Sequence, residues 1–84
     1  MNAAYQKLTL DQAVTYEIKV PGALDEHWLG GNGGMKLSIE YTEKDTPITT
    51  ITICVDQAAL HSLLQRIYSL GLPVISVVCV EFGT

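Results

Sequence analysis

Basic residues are few in this sequence, and the few are dispersed. The 84 residues include five lysines and arginines against nine aspartates and glutamates, which gives a net charge of −4. The basic residues are Lys7, Lys19, Lys36, Lys44 and Arg66. Because they form no stripe that would neutralise a row of phosphates, we expect no nucleic-acid partner.

Long hydrophobic runs are missing as well. The longest apolar stretch, residues 72–80, is interrupted by Ser76 and is less than half of the roughly 20 residues that cross a bilayer. Residues 1–10 contain no apolar run of the roughly 7 to 15 residues that a signal peptide needs. We therefore expect no membrane-spanning segment and a cytoplasmic location.

Cysteine is scarce and is not clustered. Cys54 and Cys79, the only two, fall in strand-like segments, with no CxxC spacing and no histidine placed as a further ligand. Cytosolic structural disulfides are rare, and structural zinc sites need four clustered ligands. We expect two buried free thiols, and neither a metal nor a cofactor.

Apolar residues, by contrast, are plentiful. Hydrophobic residues make up 48% of the chain and charged residues 17%, a proportion typical of a packed domain. A chain of this length buries only about 60 to 65% of its unfolded surface, so packing against a second copy would add stability. We expect a single domain over residues 14–84, preceded by a loose arm over residues 1–13.

Apolar and polar residues alternate in three segments, which predicts strands with one buried face. These segments are residues 14–20, which Pro21 and Gly22 terminate, residues 35–41 and residues 48–55. The last two are predicted to form a hairpin around a turn at residues 42–47. A fourth strand is predicted over residues 74–82, where both faces are apolar.

One segment has the period of an amphipathic helix. Its apolar stripe follows Asp56, a favourable N-cap, and consists of Leu60, Leu63, Leu64, Ile67 and Leu70. Gly71 suits the left-handed position after a helix, and Pro73 prevents the helix from continuing. This long helix is the most regular element in the pattern.

A second, short helix is predicted over residues 23–29. It cannot be long, because the glycine-rich run GGNGG at residues 30–34 sustains neither a helix nor a strand interior. That run is either a lid or a passive linker. A phosphate-binding loop would need Gly-Lys-Ser/Thr at the start of a helix, whereas Gly34 leads into Met35 and a strand.

The order of strand, short helix, strand, strand, long helix and strand predicts an α+β fold. It matches the ferredoxin-like split βαβ arrangement, with a four-stranded antiparallel sheet and its helices on one face. The last strand then places Val78, Val80 and Phe82 on the open face, where an uncovered sheet would be polar. We expect a second subunit to cover them, forming a homodimer.

The segments YEIKVPGALDEHW and VDQAALHSLLQRIYSLGLPVISVVCVE resemble a pattern found in small uncharacterised bacterial proteins of similar length. The shared pattern reads YEIxVxGxLDxxW and then VDQAALHxLLxRIxxLGLPxISVxxVE, and it covers about residues 16–81. The resemblance implies no activity. Val78 and Cys79 stand where those proteins have basic or polar residues, so this last strand is the more apolar.

Two hypotheses of function follow from these patterns. The first is a non-catalytic module that self-associates through its sheet or last strand and binds another protein. The second is a small-molecule binding protein or cofactor-free enzyme, with a pocket lined by Trp28, Tyr16 and Tyr41. His27 is the acid–base candidate for such a pocket, whereas His61 is interpreted as part of the helix's solvated face.

Overall fold

A computed structural model describes residues 12–25, 27 and 34–80 of the protein. Over these residues the fold is α+β, with four strands in one antiparallel sheet and one helix, which confirms the predicted class. In chain order the elements are β1 (Val14–Pro21), β2 (Met35–Tyr41), β3 (Pro47–Val55), α1 (Gln57–Ser69) and β4 (Ser76–Cys79).

The strands lie in the order β2-β3-β1-β4, so the edge strands of the described sheet are β2 and β4. β1 pairs antiparallel with β3 and with β4, and β3 pairs antiparallel with β2. β1 and β2 therefore run parallel with β3 between them, and β3 and β4 run parallel with β1 between them. α1 lies in the connection from β3 to β4.

Alternation along the strands separates two faces of the sheet. The core face packs against α1. The buried residues of this core include Val14, Tyr16, Ile18, Val20 and Ile51 from the sheet and Leu60, Leu63 and Ile67 from the helix. The opposite face, here called the open face, follows from the strand register and includes Glu17, Lys19, Lys36, Ser38, Thr50, Thr52 and Val78. The described strand residues that the alternation predicts for the open face lie there, whereas Val74, also predicted for that face, precedes β4 and packs against the core.

Both ends of α1 have the predicted cap chemistry. The Asp56 carboxylate accepts a backbone N–H of the first turn at 2.8 Å. At the other end Gly71 has a φ of 81° and donates its N–H to the carbonyl of Tyr68 at 2.9 Å. Leu72 donates to the carbonyl of Ile67 at 3.4 Å and packs against the core. These two bonds form the Schellman motif, which requires the left-handed glycine.

β4 is shorter than the predicted strand over residues 74–82. Its regular pairing begins at Ser76, the register partner of Lys19, yet the N–H of Ile75 also donates to the carbonyl of Lys19, at 2.7 Å. This irregular bond takes Ile75 out of the ladder register, and the strand therefore begins at Ser76. At the other end, Phe82 lies outside the described residues.

Other predicted segments fall partly outside the described residues. Of the short helix predicted over residues 23–29, residues 23–25 are not helical, His27 has 3-10 helical geometry, and the remaining residues lie outside the described part of the chain. Only Gly34 of the glycine-rich run is described, and it is exposed. Of the arm predicted over residues 1–13, only residues 12 and 13 are described, and neither is in a strand.

Candidate functional site

The structure separates the two tyrosines that were predicted to line one pocket. Tyr16 is 3% exposed in β1 and lies opposite Ile53, whereas Tyr41 is 65% exposed at the end of β2 and lies opposite Pro47. At a rise of about 3.3 Å per residue, those two positions of β3 are about 20 Å apart. The two tyrosines therefore lie far apart in the sheet, and Trp28, the third predicted member, lies outside the described residues, so a pocket at Trp28 stays a prediction.

Tyr16 serves the packing of the helix. Its hydroxyl accepts a hydrogen bond from the side-chain amide of Gln57 in the first turn of α1. A buried phenol needs a partner for its hydroxyl, and this bond supplies one while it ties β1 to the start of the helix. The role of Tyr16 in the described structure is to position α1.

The two histidines lie in exposed positions. The backbone N–H of His27 donates to the Asp25 carboxylate at 3.0 Å, which closes a local turn. His61 Nε2 is 3.2 Å from Nε2 of Gln65, one turn further along α1, in agreement with a solvated helix face. Within residues 12–25, 27 and 34–80 no cluster of three or more metal-ligating side chains occurs. His27 as an acid–base group stays a prediction.

The two cysteines face opposite sides of the sheet, and both are free thiols. Cys54 is the register partner of Thr15 on the open face and is exposed, while Cys79 is the partner of Tyr16 on the core face and is half-buried. The expectation of two buried thiols is wrong for Cys54, because strand alternation turns its side chain away from the helix.

We expect the two thiols to react with Ellman's reagent at different rates. Cys54 should react rapidly because it is exposed, and Cys79 should react slowly because it packs against the core. The Cys54→Ser variant should lose the rapid phase and keep the slow one. Two rapid phases of equal rate in the folded protein would contradict the placement of Cys79.

Exposed apolar side chains line both edges of the described sheet. On β2, Ile39 is 43% exposed beside Tyr41, and on β4, Val77 is 41% exposed. No other strand of the described ranges pairs with the outer edge of β2 or of β4. Unpaired edges with apolar side chains are surfaces on which another chain can pair. They are the candidate functional site of the described structure.

The interface residues predicted from the sequence lie beside one of these edges. Val78 is half-buried on the open face opposite Glu17 of β1. Val80 is half-buried as well, and its N–H donates to the carbonyl of Thr15 at 3.0 Å. Phe82 lies outside the described residues. The predicted interface is therefore the region around β4, to which the more exposed Val77 is added.

The β2 edge is not evident from the sequence pattern alone. The alternation places Ile39 and Tyr41 on an apolar face, and an apolar face is first of all expected in the core. Their exposure follows from their place in the second half of an edge strand, since Met35 and Leu37 in the first half of β2 still pack against the core. Only the strand order β2-β3-β1-β4 shows that β2 is an edge strand.

None of the described helical residues form a helix with both the length and the hydropathy needed to traverse a membrane.

Comparison with curated proteins gives no match, and comparison with solved structures gives none either. A family model with the description Domain of unknown function (DUF8691) matches residues 15–78, from the second residue of β1 to the third of β4. This match includes all of β2, β3 and α1, and the chain therefore belongs to the DUF8691 family.

Proposed function

We propose that the protein is a non-catalytic interaction module that self-associates through an edge of its sheet and acts by binding another protein. The observation that carries the proposal is the exposure of Ile39, Tyr41 and Val77 along the two edges. A small domain gains stability when it buries such side chains. An edge strand also offers backbone groups that a second chain can satisfy.

The fold that supports this function is proposed to be ferredoxin-like. In support, the strand order is β2-β3-β1-β4, and each parallel pair, β1 with β2 and β3 with β4, has one strand between its members. α1 supplies one of the two connections that such a split βαβ arrangement requires. The other connection would run through residues 22–34, which are only partly described.

We propose the cytoplasm as the location. Cys54 and Cys79 are free in the structure, and they lie on opposite faces of the sheet. Free thiols persist in a reducing compartment, which supports the proposed location.

Light scattering should give a molar mass in solution of about twice the 9.2 kDa of one chain at micromolar concentrations. Lysine substitutions then test each edge: Val78→Lys and Val80→Lys for β4, and Ile39→Lys for β2. Because a charge at a buried edge contact must be desolvated, the substitution at the associating edge should shift the mass towards the monomer.

The Val78→Lys variant is well suited to this experiment, because its new lysine would lie opposite Glu17 in the same chain. That cross-strand pair is favourable, so the fold of the monomer should be retained. A wild-type protein that is monomeric throughout the concentration series would contradict self-association. A dimer that none of the three lysines weakens would contradict the use of a sheet edge.

A further inference from the structure

The β2 edge presents a regular set of backbone hydrogen-bonding groups. Along an antiparallel ladder, alternate residues bond to one neighbouring strand and the remaining residues to the other. The Gly22 N–H donates to the carbonyl of Pro47 at 2.9 Å, so Thr49 and every second residue of β3 bond to β1. Those between them, such as Thr50, bond to β2.

The same alternation fixes the direction of the backbone groups of β2. Lys36, Ser38 and Glu40 are the register partners of the β3 residues that bond to β2. The remaining residues of β2 turn their N–H and C=O groups to the outer edge, and they are Met35, Leu37, Ile39 and Tyr41. Each of these four residues directs one N–H and one C=O outward, so β2 offers four backbone donors and four backbone acceptors to another strand.

β2 carries two charges, Lys36 and Glu40, on its open face, but it lacks two other features that commonly protect an edge strand from pairing. Its seven residues follow one unbroken register and contain neither a proline nor a bulge. β4, by comparison, has only four residues, and the hydrogen bond of Ile75 just before it departs from the ladder register. Of the two edges of the described sheet, β2 is therefore the better template for a further strand.

The sequence of β2, MKLSIEY, is self-complementary about its central residue. The core-face residues are apolar at positions 35, 37, 39 and 41, while Lys36 and Glu40 lie on the open face at equal distances from Ser38. When two such strands meet antiparallel with Ser38 at the centre, each lysine lies opposite a glutamate. A like-charged pair at these positions would instead repel.

We propose that β2 pairs antiparallel with β2 of a second copy of this chain, about a two-fold axis through Ser38. This inference rests on the proposed self-association and specifies its edge and register. Lys36 lies opposite Glu40 of the partner subunit, Leu37 opposite the partner's Ile39, and Met35 opposite the partner's Tyr41. The four outward-bonding pairs exchange about eight backbone hydrogen bonds, since each such pair exchanges two.

The neighbouring registers are less favourable. A two-fold axis through Leu37 would place Lys36 opposite Ser38, and an axis through Ile39 would place Glu40 opposite Ser38. Both lose the two lysine–glutamate pairs, and both extend one end of the pairing beyond β2. Charge complementarity therefore selects the register centred on Ser38.

The resulting dimer has a simple architecture. The two sheets, of four strands each, become one continuous sheet, and the two copies of α1 lie on the same side of it. Ile39 and Tyr41, both exposed in the single chain, acquire apolar cross-strand neighbours. The β4 edge is left uncovered at both ends of the dimer, where it is available to another protein.

A charge-exchange experiment tests the edge and the register together. Lys36→Glu and Glu40→Lys should each weaken dimerisation by about tenfold or more, because each places two like-charged pairs across the axis. The double variant should recover wild-type affinity. An equimolar mixture of the two single variants should form mainly heterodimers, detected by native mass spectrometry. Arg66→Glu, on the exposed face of α1, is the control for net charge and should have no effect.

A cross-linking experiment locates the axis independently. At the axis, the two Ser38 residues form a pair without mutual hydrogen bonds, with Cα atoms about 4.5 Å apart, which is within disulfide range. In a Cys54→Ser background, Ser38→Cys should therefore form a disulfide-linked dimer in air. Lys36→Cys in the same background should not, because its two copies would be about 13 Å apart along the ladder.

The outcomes separate this inference from the proposed function. A protein that is monomeric at all concentrations overturns both. A dimer lost with Val78→Lys or Val80→Lys, but not with the β2 variants, overturns the β2 pairing and leaves self-association intact. A double charge variant that folds by circular dichroism yet stays as weak as the single variants overturns the register.

Discussion

Replacing Thr49 with valine is expected to lower the free energy of unfolding by about 2 to 4 kcal/mol. The Thr49 side chain is fully buried, and its hydroxyl accepts the N–H of Leu24 at 2.9 Å and donates to the carbonyl of Gly22 at 2.6 Å. Valine has nearly the same shape but leaves both backbone groups without these partners. The size of the effect reflects the cost of leaving two covered polar groups unsatisfied.

The adjacent Thr50 provides a matched control. It is 7% exposed on the open face, and its hydroxyl has no hydrogen-bond partner in the part of the chain that the structure describes. Thr50→Val should therefore leave stability unchanged or raise it slightly, since valine favours strands and carries no unsatisfied hydroxyl. Urea unfolding of the two variants measures the difference. Equal losses at both positions would show that the Thr49 hydrogen bonds contribute little.

A second variant separates the hydroxyl from the methyl group. Thr49→Ser keeps the donor and acceptor and removes one buried methyl, so its loss should be about 1 kcal/mol. A loss for Thr49→Ser as large as that for Thr49→Val would assign the effect to packing. The expected order of stability is wild type, then serine, then valine.

Thr49 connects the fold to the proposed interaction edge. Its two hydrogen bonds hold the chain where it leaves β1, at Gly22 and Leu24, on the way to β2. Thr49 is also the register partner of Ile39, an exposed residue of the β2 edge. Loosening this contact should therefore affect the strand on which self-association is proposed to depend.

The elements that the sequence predicts well are those whose signals are local. The alternation that ends at Pro21 gives β1, the stripe around Leu63 gives α1, and both caps are confirmed at Asp56 and Gly71. Each of these signals depends only on residues that are close together in the sequence. The open-face residues follow equally well, because side-chain direction has a period of two along any strand.

The features that could not be predicted depend on residues distant in sequence. The irregular hydrogen bond of Ile75 is to Lys19, more than fifty residues away. The hydroxyl of Thr49 bonds to Leu24 and Gly22, which precede it by 25 and 27 residues. Tyr16 and Tyr41 have the same local pattern, yet one is buried and the other exposed, because only their positions in the sheet differ. Which strands form the two candidate edges likewise depends on the strand order, which is set by pairing between distant segments.

Ile67→Ala is expected to lower the free energy of unfolding by about 2 to 5 kcal/mol. Ile67 is fully buried in α1 and belongs to the core cluster with Ile18 and Ile51 of the sheet. Alanine removes most of this side chain and leaves a cavity between helix and sheet. Alanine is also the better helix former, so propensity opposes the expected loss and any destabilisation measured is due to packing.

The neighbouring Tyr68 is the matched control, since it is 59% exposed on the same turn of α1. Tyr68→Ala should change the stability by no more than about 0.5 kcal/mol, as is usual for exposed positions. A domain of this length has a total stability of roughly 4 to 13 kcal/mol, so Ile67→Ala should remove a large share of it. Thermal unfolding followed by circular dichroism measures both variants. If Tyr68→Ala lost as much stability as Ile67→Ala, the assignment of Ile67 to the core and Tyr68 to the solvated face of α1 would be wrong.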